Sequence, residues 1–176
     1  EMLRSLVGSE MCIRDSNMSM LKQFFSVDYK DREDLFEGLS IWEEKEYRQL
    51  QGTYPVIFLS FAAVKAGNLE DAKTQIKQEI TRLYWENRNL MKEDIFGEDE
   101  RELYYRTTVK MDDVTAQDSL RNLSVWMERY YGKKVIILLD EYDTPLQEAY
   151  IHGYWESLTG LSLIHISEPT RLLSIS

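Results

Sequence analysis

Apolar positions in the interior of the chain recur with a helical period in some stretches and as continuous or alternating runs in others, and the changes between them mark out the elements. Met18, Leu21, Phe24 and Phe25 fall at helical spacing and predict the tail of an amphipathic helix. Asp28 to Asp34 is charged and loop-like. Leu35 to Leu39 with Ile41 and Trp42 forms a small apolar patch, and a short helix is expected from Glu43 to Leu50. Gln51-Gly52-Thr53 ends it. The run Tyr54-Pro55-Val56-Ile57-Phe58-Leu59-Ser60-Phe61 then has the branched and aromatic content of a strand, with the proline tolerable at its first residues. Asn68 is a candidate helix N-cap. Beyond it Ala72, Ile76, Ile80, Leu83, Asn87 and Leu90/Met91 lie on one face at steps of three and four, predicting a helix over 70–92 with a charged outer side.

The second half again combines helical and strand patterns, without an internal repeat. Glu98 to about Arg106, with Leu103 and Tyr104, reads as a weaker helix, and Met111 to Thr115 as a turn. Leu120, Leu123, Met127 and Tyr130 form the buried stripe of a helix over 117–131, with Gly132 as its C′ residue. Val135-Ile136-Ile137-Leu138-Leu139 lies between two lysines and an acid pair, and reads as a strand over 134–139 buried on both faces, the pattern of a parallel sheet. Thr144-Pro145 starts a further helix by capping and first-turn placement, running through Leu146, Ala149 and Tyr150 until His152-Gly153-Tyr154-Trp155 interrupts or ends it. Tyr84, Trp85, Trp126, Tyr130 and Tyr131 sit within the apolar periodicity, which assigns them to the core and to helix packing rather than to base stacking. Strand, helices, strand implies two parallel strands joined by a right-handed crossover, hence an α/β fold.

The two ends follow a different logic. Met11-Cys12-Ile13-Arg14-Asp15-Ser16 can be encoded ATG TGT ATA AGA GAC AG, whose reverse complement, CTG TCT CTT ATA CAC AT, translates as Leu161-Ser162-Leu163-Ile164-His165-Ile166. Residues 6–10 pair with 167–171 in the same frame, and 1–5 can be encoded opposite 172–176. Both ends are therefore compatible with a single DNA segment in inverted orientation, and they resemble the transposase adapter of sequencing libraries read in both directions. The expectation is that 1–16 and 161–176 are adapter-derived and non-native, to be set aside as fusion scars are, and that 17–160 is a partial domain.

Composition narrows the chemistry. With 31 acids against 21 bases the formal net charge is −10, which argues against broad nucleic-acid binding, since phosphate contacts need clustered Lys and Arg. The length suits a single domain or less. The single cysteine, Cys12, lies in the adapter-like end; an interior without cysteine fits a reducing cytosol, and a cytoplasmic protein is expected. His152 has no Cys or second His at ligand spacing, which makes a zinc site improbable. No apolar run is long enough to span a bilayer.

The candidate chemistry lies where the second strand ends. In open parallel sheets the carboxyl ends of the strands line the ligand crevice, and here they deliver Asp140 and Glu141. Phosphoryl transfer uses an acid at such a place to help hold magnesium, and a neighbouring glutamate can orient water. Asp140 is then the magnesium-side acid and Glu141 the catalytic base, with Tyr142 and Asp143 shaping the loop. A buried strand ending in a solvated acidic turn is the competing reading of the same residues.

LLDEYDTPL, with YPVIFLSF at 54–61 and RYYGKKVI at 129–136, resembles the AAA-ATPase-like domain of bacterial and archaeal proteins, which commonly precedes a region related to PD-(D/E)XK nucleases. The resemblance runs from about Asn17 to Gly160. It implies a three-layer P-loop NTPase-type parallel sheet with flanking helices, here incomplete, and ATP with Mg2+ as the ligands of the intact parent. The family's Gly-Lys-Ser/Thr phosphate loop, due just before Met18, is missing from the sequence. The resemblance thus implies a nucleotide partner for the parent and an inactive fragment with no nucleotide bound here. A non-hydrolysing regulatory or protein-interaction module on the same fold is the alternative.

Overall fold

The computed structural model describes residues 17–159. The readings made for 1–16 and for 161–176 lie outside these residues. Helix α1 is helical over 17–25, and Ser26 beyond it bridges Tyr54 in parallel. The charged stretch that follows holds two 3-10 turns, Val27–Tyr29 and Glu33–Leu35. The short helix expected from Glu43 to Leu50 is two, α2 (Ser40–Glu43) and α3 (Lys45–Arg48), because Glu44 between them is extended, at φ −86° and ψ 110°.

Strand β1 (Val56–Ser60) leads into α4 (Leu69–Glu86), whose start is capped by Asn68, the side-chain oxygen accepting from the Asp71 N–H at 2.9 Å. The helix ends earlier than its apolar stripe suggests. Asn87 turns its amide onto the Leu83 carbonyl, and the chain continues as a 3-10 turn, Arg88–Lys92, that still buries Leu90 and Met91. Helix α5 (Glu98–Arg106) and helix α6 (Asp113–Tyr131) follow. The turn expected at Met111 to Thr115 is in fact the start of α6: Asp112 accepts from the Thr115 N–H at 2.7 Å, an N-cap that outweighs the β-branched Val114 and Thr115. Gly132 closes α6 as expected, at φ 65°. Strand β2 (Ile136–Asp140), α7 (Thr144–Ile151) and α8 (Trp155–Thr159) complete the described chain.

The two strands pair in parallel, Val56 with Ile136 through to Ser60 with Asp140, as the connection through α4, α5 and α6 requires. Ile57 and Leu59 of β1 and Ile137 and Leu139 of β2 face one cluster with Ile76, Ile80 and Leu83 of α4 and Leu120, Leu123 and Met127 of α6. One face of the sheet is thus covered by helices. The expectation that β2 is buried on both faces is corrected: only Leu138 is buried, its neighbours being half-buried, because among the described residues the sheet has two strands and β2 has no second neighbour. The described residues thus form a mixed helix-and-strand, α/β arrangement on a small two-stranded parallel sheet. No described helix is long and apolar enough to cross a membrane.

The aromatic assignments divide. Tyr84 and Trp126 are buried and join Tyr104 in one cluster; the Tyr84 hydroxyl donates to the Ser119 carbonyl at 2.7 Å and the Tyr104 hydroxyl to the Tyr84 carbonyl. Trp85 is 66% exposed, with the Arg88 guanidinium over its ring, and Tyr130 and Tyr131 are also on the surface. Trp85 lies about 100° further round α4 from Tyr84, which carries it off the buried face that Ile76, Ile80, Leu83 and Tyr84 share.

Glu100 ties α5 to α6. Its carboxylate accepts from Arg129 at 2.9 Å, from the Trp126 indole at 3.2 Å and from the Gly97 N–H at 3.0 Å. The Arg129 hydrogen bond holds its pKa below the usual carboxylate value. A carboxyl depressed in the folded state stabilises above its unfolded pKa and stops doing so as pH falls through the folded one. Glu100→Gln removes the charge and one of the two accepting oxygens, and is expected to cost about 0.5–1 kcal/mol at neutral pH. Thermal melts against pH should show that gap closing below about pH 4; a gap that persists in acid would mean the charge is not its source.

Candidate functional site

The parallel register places the carboxyl ends of β1 and β2 side by side, and with them Ser60 and Asp140. The Ser60 hydroxyl donates to Asp140 Oδ2 at 3.2 Å, and the Phe61 N–H donates to the Asp140 carbonyl at 2.9 Å. Both residues lie on the sheet face opposite Ile57, Leu59, Ile137 and Leu139, since side chains alternate along a strand. Asp140 is half-buried: held by the fold but within reach of a ligand.

Glu141 leaves the strand with φ 51°, the one described non-glycine residue with positive φ. The left-handed conformation costs a residue with a Cβ about 1–2 kcal/mol, and such strain collects at functional sites. It turns the chain sharply enough for α7 to begin at Thr144, whose N–H donates to the Glu141 carbonyl and whose hydroxyl donates to Glu141 Oε2, both at 3.0 Å. Thr144 is therefore tied back to Glu141 rather than capping the helix. If the backbone is strained here, Glu141→Gly should be more stable than Glu141→Ala by about 1 kcal/mol, although both lose the same side-chain bond. Equal denaturation midpoints for the two would refute the strain.

The two remaining acidic-loop positions have separate surroundings. Tyr142 is largely exposed. Asp143 Oδ2 accepts from the Gln147 side chain at 2.8 Å and its carbonyl from the Gln147 N–H at 2.9 Å, so it braces the first turn of α7. His152 is a surface residue 3.5 Å from Glu148. A cleft of about 260 Å³ opens beside Ser60, lined by Lys22, Phe58, Glu79 and Arg82 among others, but neither Asp140 nor Glu141 forms its wall.

Magnesium takes oxygen ligands, uses one or two carboxylates and leaves the rest of its shell to water and substrate phosphates. The Asp140 carboxylate beside the Ser60 hydroxyl fits that donor set. No described group of three or more His, Cys, Asp or Glu residues could hold a metal by itself, so the phosphate side of such a site needs other donors. The sequence has no Gly-Lys-Ser/Thr motif. Its Gly132-Lys133 pair sits before β2, at the other end of the strand from Asp140, where Lys133 donates to Thr53 Oγ1 at 3.0 Å and lies 3.9 Å over the Tyr54 ring.

Ser60 is the residue that sequence reading missed. The signal was present: two parallel strands ending together bring their last residues into contact, and setting VIFLS against IILLD places a hydroxyl beside the acid. It could be used only once the register was known.

The family model described as Predicted AAA-ATPase matches residues 15–162. No curated protein and no solved structure matches the chain. With a match over most of its length, and the acid pair of that resemblance at the carboxyl end of a parallel strand, the chain belongs to the AAA-ATPase-like family.

Proposed function

We propose that in the complete protein the carboxyl end of β2 is the magnesium and water side of an ATP-hydrolysing P-loop site, set in a three-layer sheet to which β1 and β2 belong. The supporting observation is the placement of Asp140 at the end of a parallel strand, hydrogen-bonded by Ser60 and followed at once by the left-handed Glu141. Bound there with nucleotide, magnesium would supply neutralisation of the negative charge that develops on the phosphates. Asp140 is the residue that would hold it. Glu141 would orient the attacking water and accept its proton, while Tyr142 and Asp143 shape the loop.

The phosphates require donors that this sequence does not supply. Each charge-assisted hydrogen bond of a phosphate loop contributes about 1.5–3 kcal/mol, and every ~1.4 kcal/mol is a factor of ten in affinity. One carboxylate cannot replace them, so this chain by itself should not turn over ATP.

A second reading has its own support. Tyr150 is 78% and Ile151 69% exposed, and with Trp155, Leu146 and Asp143 they line an open groove directly after the acidic loop. That suits a protein-interaction module which keeps the fold without hydrolysis. Sequencing of the genomic DNA immediately upstream of the Met18 codon separates the two: a Gly-Lys-Ser/Thr loop there supports the ATPase, a degenerate one the module. Turnover by the complete gene product and its Asp140→Asn, Glu141→Gln and Asp143→Asn variants is the direct test.

A further inference from the structure

The Ser60 hydroxyl does more than satisfy a neighbour. Its Oγ lies 3.4 Å from the Ala62 N–H, which donates to it, and 3.2 Å from Asp140 Oδ2, to which it donates. A serine has one proton and two lone pairs, so the Ala62 N–H occupies a lone pair and leaves the proton for the carboxylate. The turn after β1 therefore orients the hydroxyl, and the hydroxyl orients the acid. No other described hydrogen bond reaches the Asp140 side chain, which leaves Oδ1 as the oxygen available to a ligand.

The register makes this arrangement specific. Ser60 opposes Asp140 only in the observed pairing; a slip by one residue would put Leu59 or Phe61 there and turn the strand's side chains to the other face. Asp140 is only half-buried, so water could satisfy its carboxylate without Ser60. What water cannot supply is a fixed rotamer.

We infer that Ser60 is a positioning residue for Asp140, holding Oδ2 so that Oδ1 is presented as a single-oxygen ligand to a hard divalent cation. The inference rests on the reading of Asp140 as the magnesium-side acid. Hydrogen-bond partners of metal ligands typically contribute about ten- to a hundredfold in metal affinity.

The test uses Mn2+, a paramagnetic substitute for Mg2+, titrated into the 176-residue chain while NMR follows the broadening of the amides of Phe61, Ala62, Glu141 and Tyr142. Broadening there should depend on Asp140 and disappear in Asp140→Asn. Ser60→Ala should weaken the apparent affinity at these amides about tenfold, with its melting temperature recorded alongside, and Ser60→Thr, which keeps the hydroxyl, should restore it. If Ser60→Ala does not fold, Ser60→Cys, close in size and a poor donor, takes its place. Ser60→Ala binding Mn2+ as the parent chain does, while Asp140→Asn does not, overturns the inference and leaves Asp140 in its role. Ser60→Thr binding as poorly as Ser60→Ala also overturns it, because the hydroxyl would not be the cause. Broadening that is absent from the unsubstituted 176-residue chain, or unchanged in Asp140→Asn, overturns the inference; the metal reading of Asp140 in the complete protein is decided separately, by the Mg2+ dependence of turnover in Asp140→Asn.

Discussion

Leu123→Ala is expected to remove about 3–5 kcal/mol of stability, the range for a large apolar side chain deleted from a tightly packed interior. Leu123 is completely buried on α6, in the cluster that joins α4, α6 and the inner face of the sheet. Deletion leaves a cavity in that cluster, and a domain of this size has only about 5–15 kcal/mol in total. Leu123→Met, which conserves volume, should cost less than about 1.5 kcal/mol. The informative comparison is Trp85→Ala. Trp is the larger side chain, yet Trp85 is on the surface of α4, so its removal should cost no more than about 1 kcal/mol, mostly the stacking of Arg88. Urea denaturation of the three variants gives the ranking, and a loss for Trp85→Ala equal to that for Leu123→Ala would mean that α4 faces the core differently.

That comparison also shows where the sequence was legible. The stripe Ala72, Ile76, Ile80 and Leu83 and its counterpart Leu120, Leu123 and Met127 were readable because apolar residues at steps of three and four leave one solution for which face is inside. Trp85 departs from that reading because it was counted within the apolar periodicity although it lies off the face of Ala72, Ile76, Ile80 and Leu83. The burial of β2 was overread for another reason. A continuous apolar run does not by itself say how many strands flank it, and the described residues provide a single neighbouring strand.

At the candidate site, the position of Asp140 and Glu141 at the end of the strand was legible from the run, but their geometry was not. A left-handed glutamate has no sequence signature, unlike a glycine, because its strain is maintained by the surrounding contacts; here Thr144 bonds both its carbonyl and its carboxylate. Ser60 is separated from Asp140 by the whole connection between the strands, so no local pattern links the two.

For the chemistry, Glu141→Gln should lower ATP turnover in the complete protein by about 10²–10⁴-fold, the usual contribution of a positioned general base. Glutamine keeps the size and the acceptor for Thr144 but cannot take a proton from water, so nucleotide binding should survive. Asp140→Asn should act differently, raising the Mg2+ concentration that turnover requires, since a neutral amide is a poorer ligand for a hard dication. Asp143→Asn should be the mildest, because its oxygen can still accept from Gln147. The most direct measurement is steady-state phosphate release by Glu141→Gln beside the unmodified complete protein, with ATP binding measured on the same samples. The prediction is intact binding with turnover reduced at least a hundredfold; near-normal turnover would contradict the hydrolytic role of Glu141 and favour the interaction module.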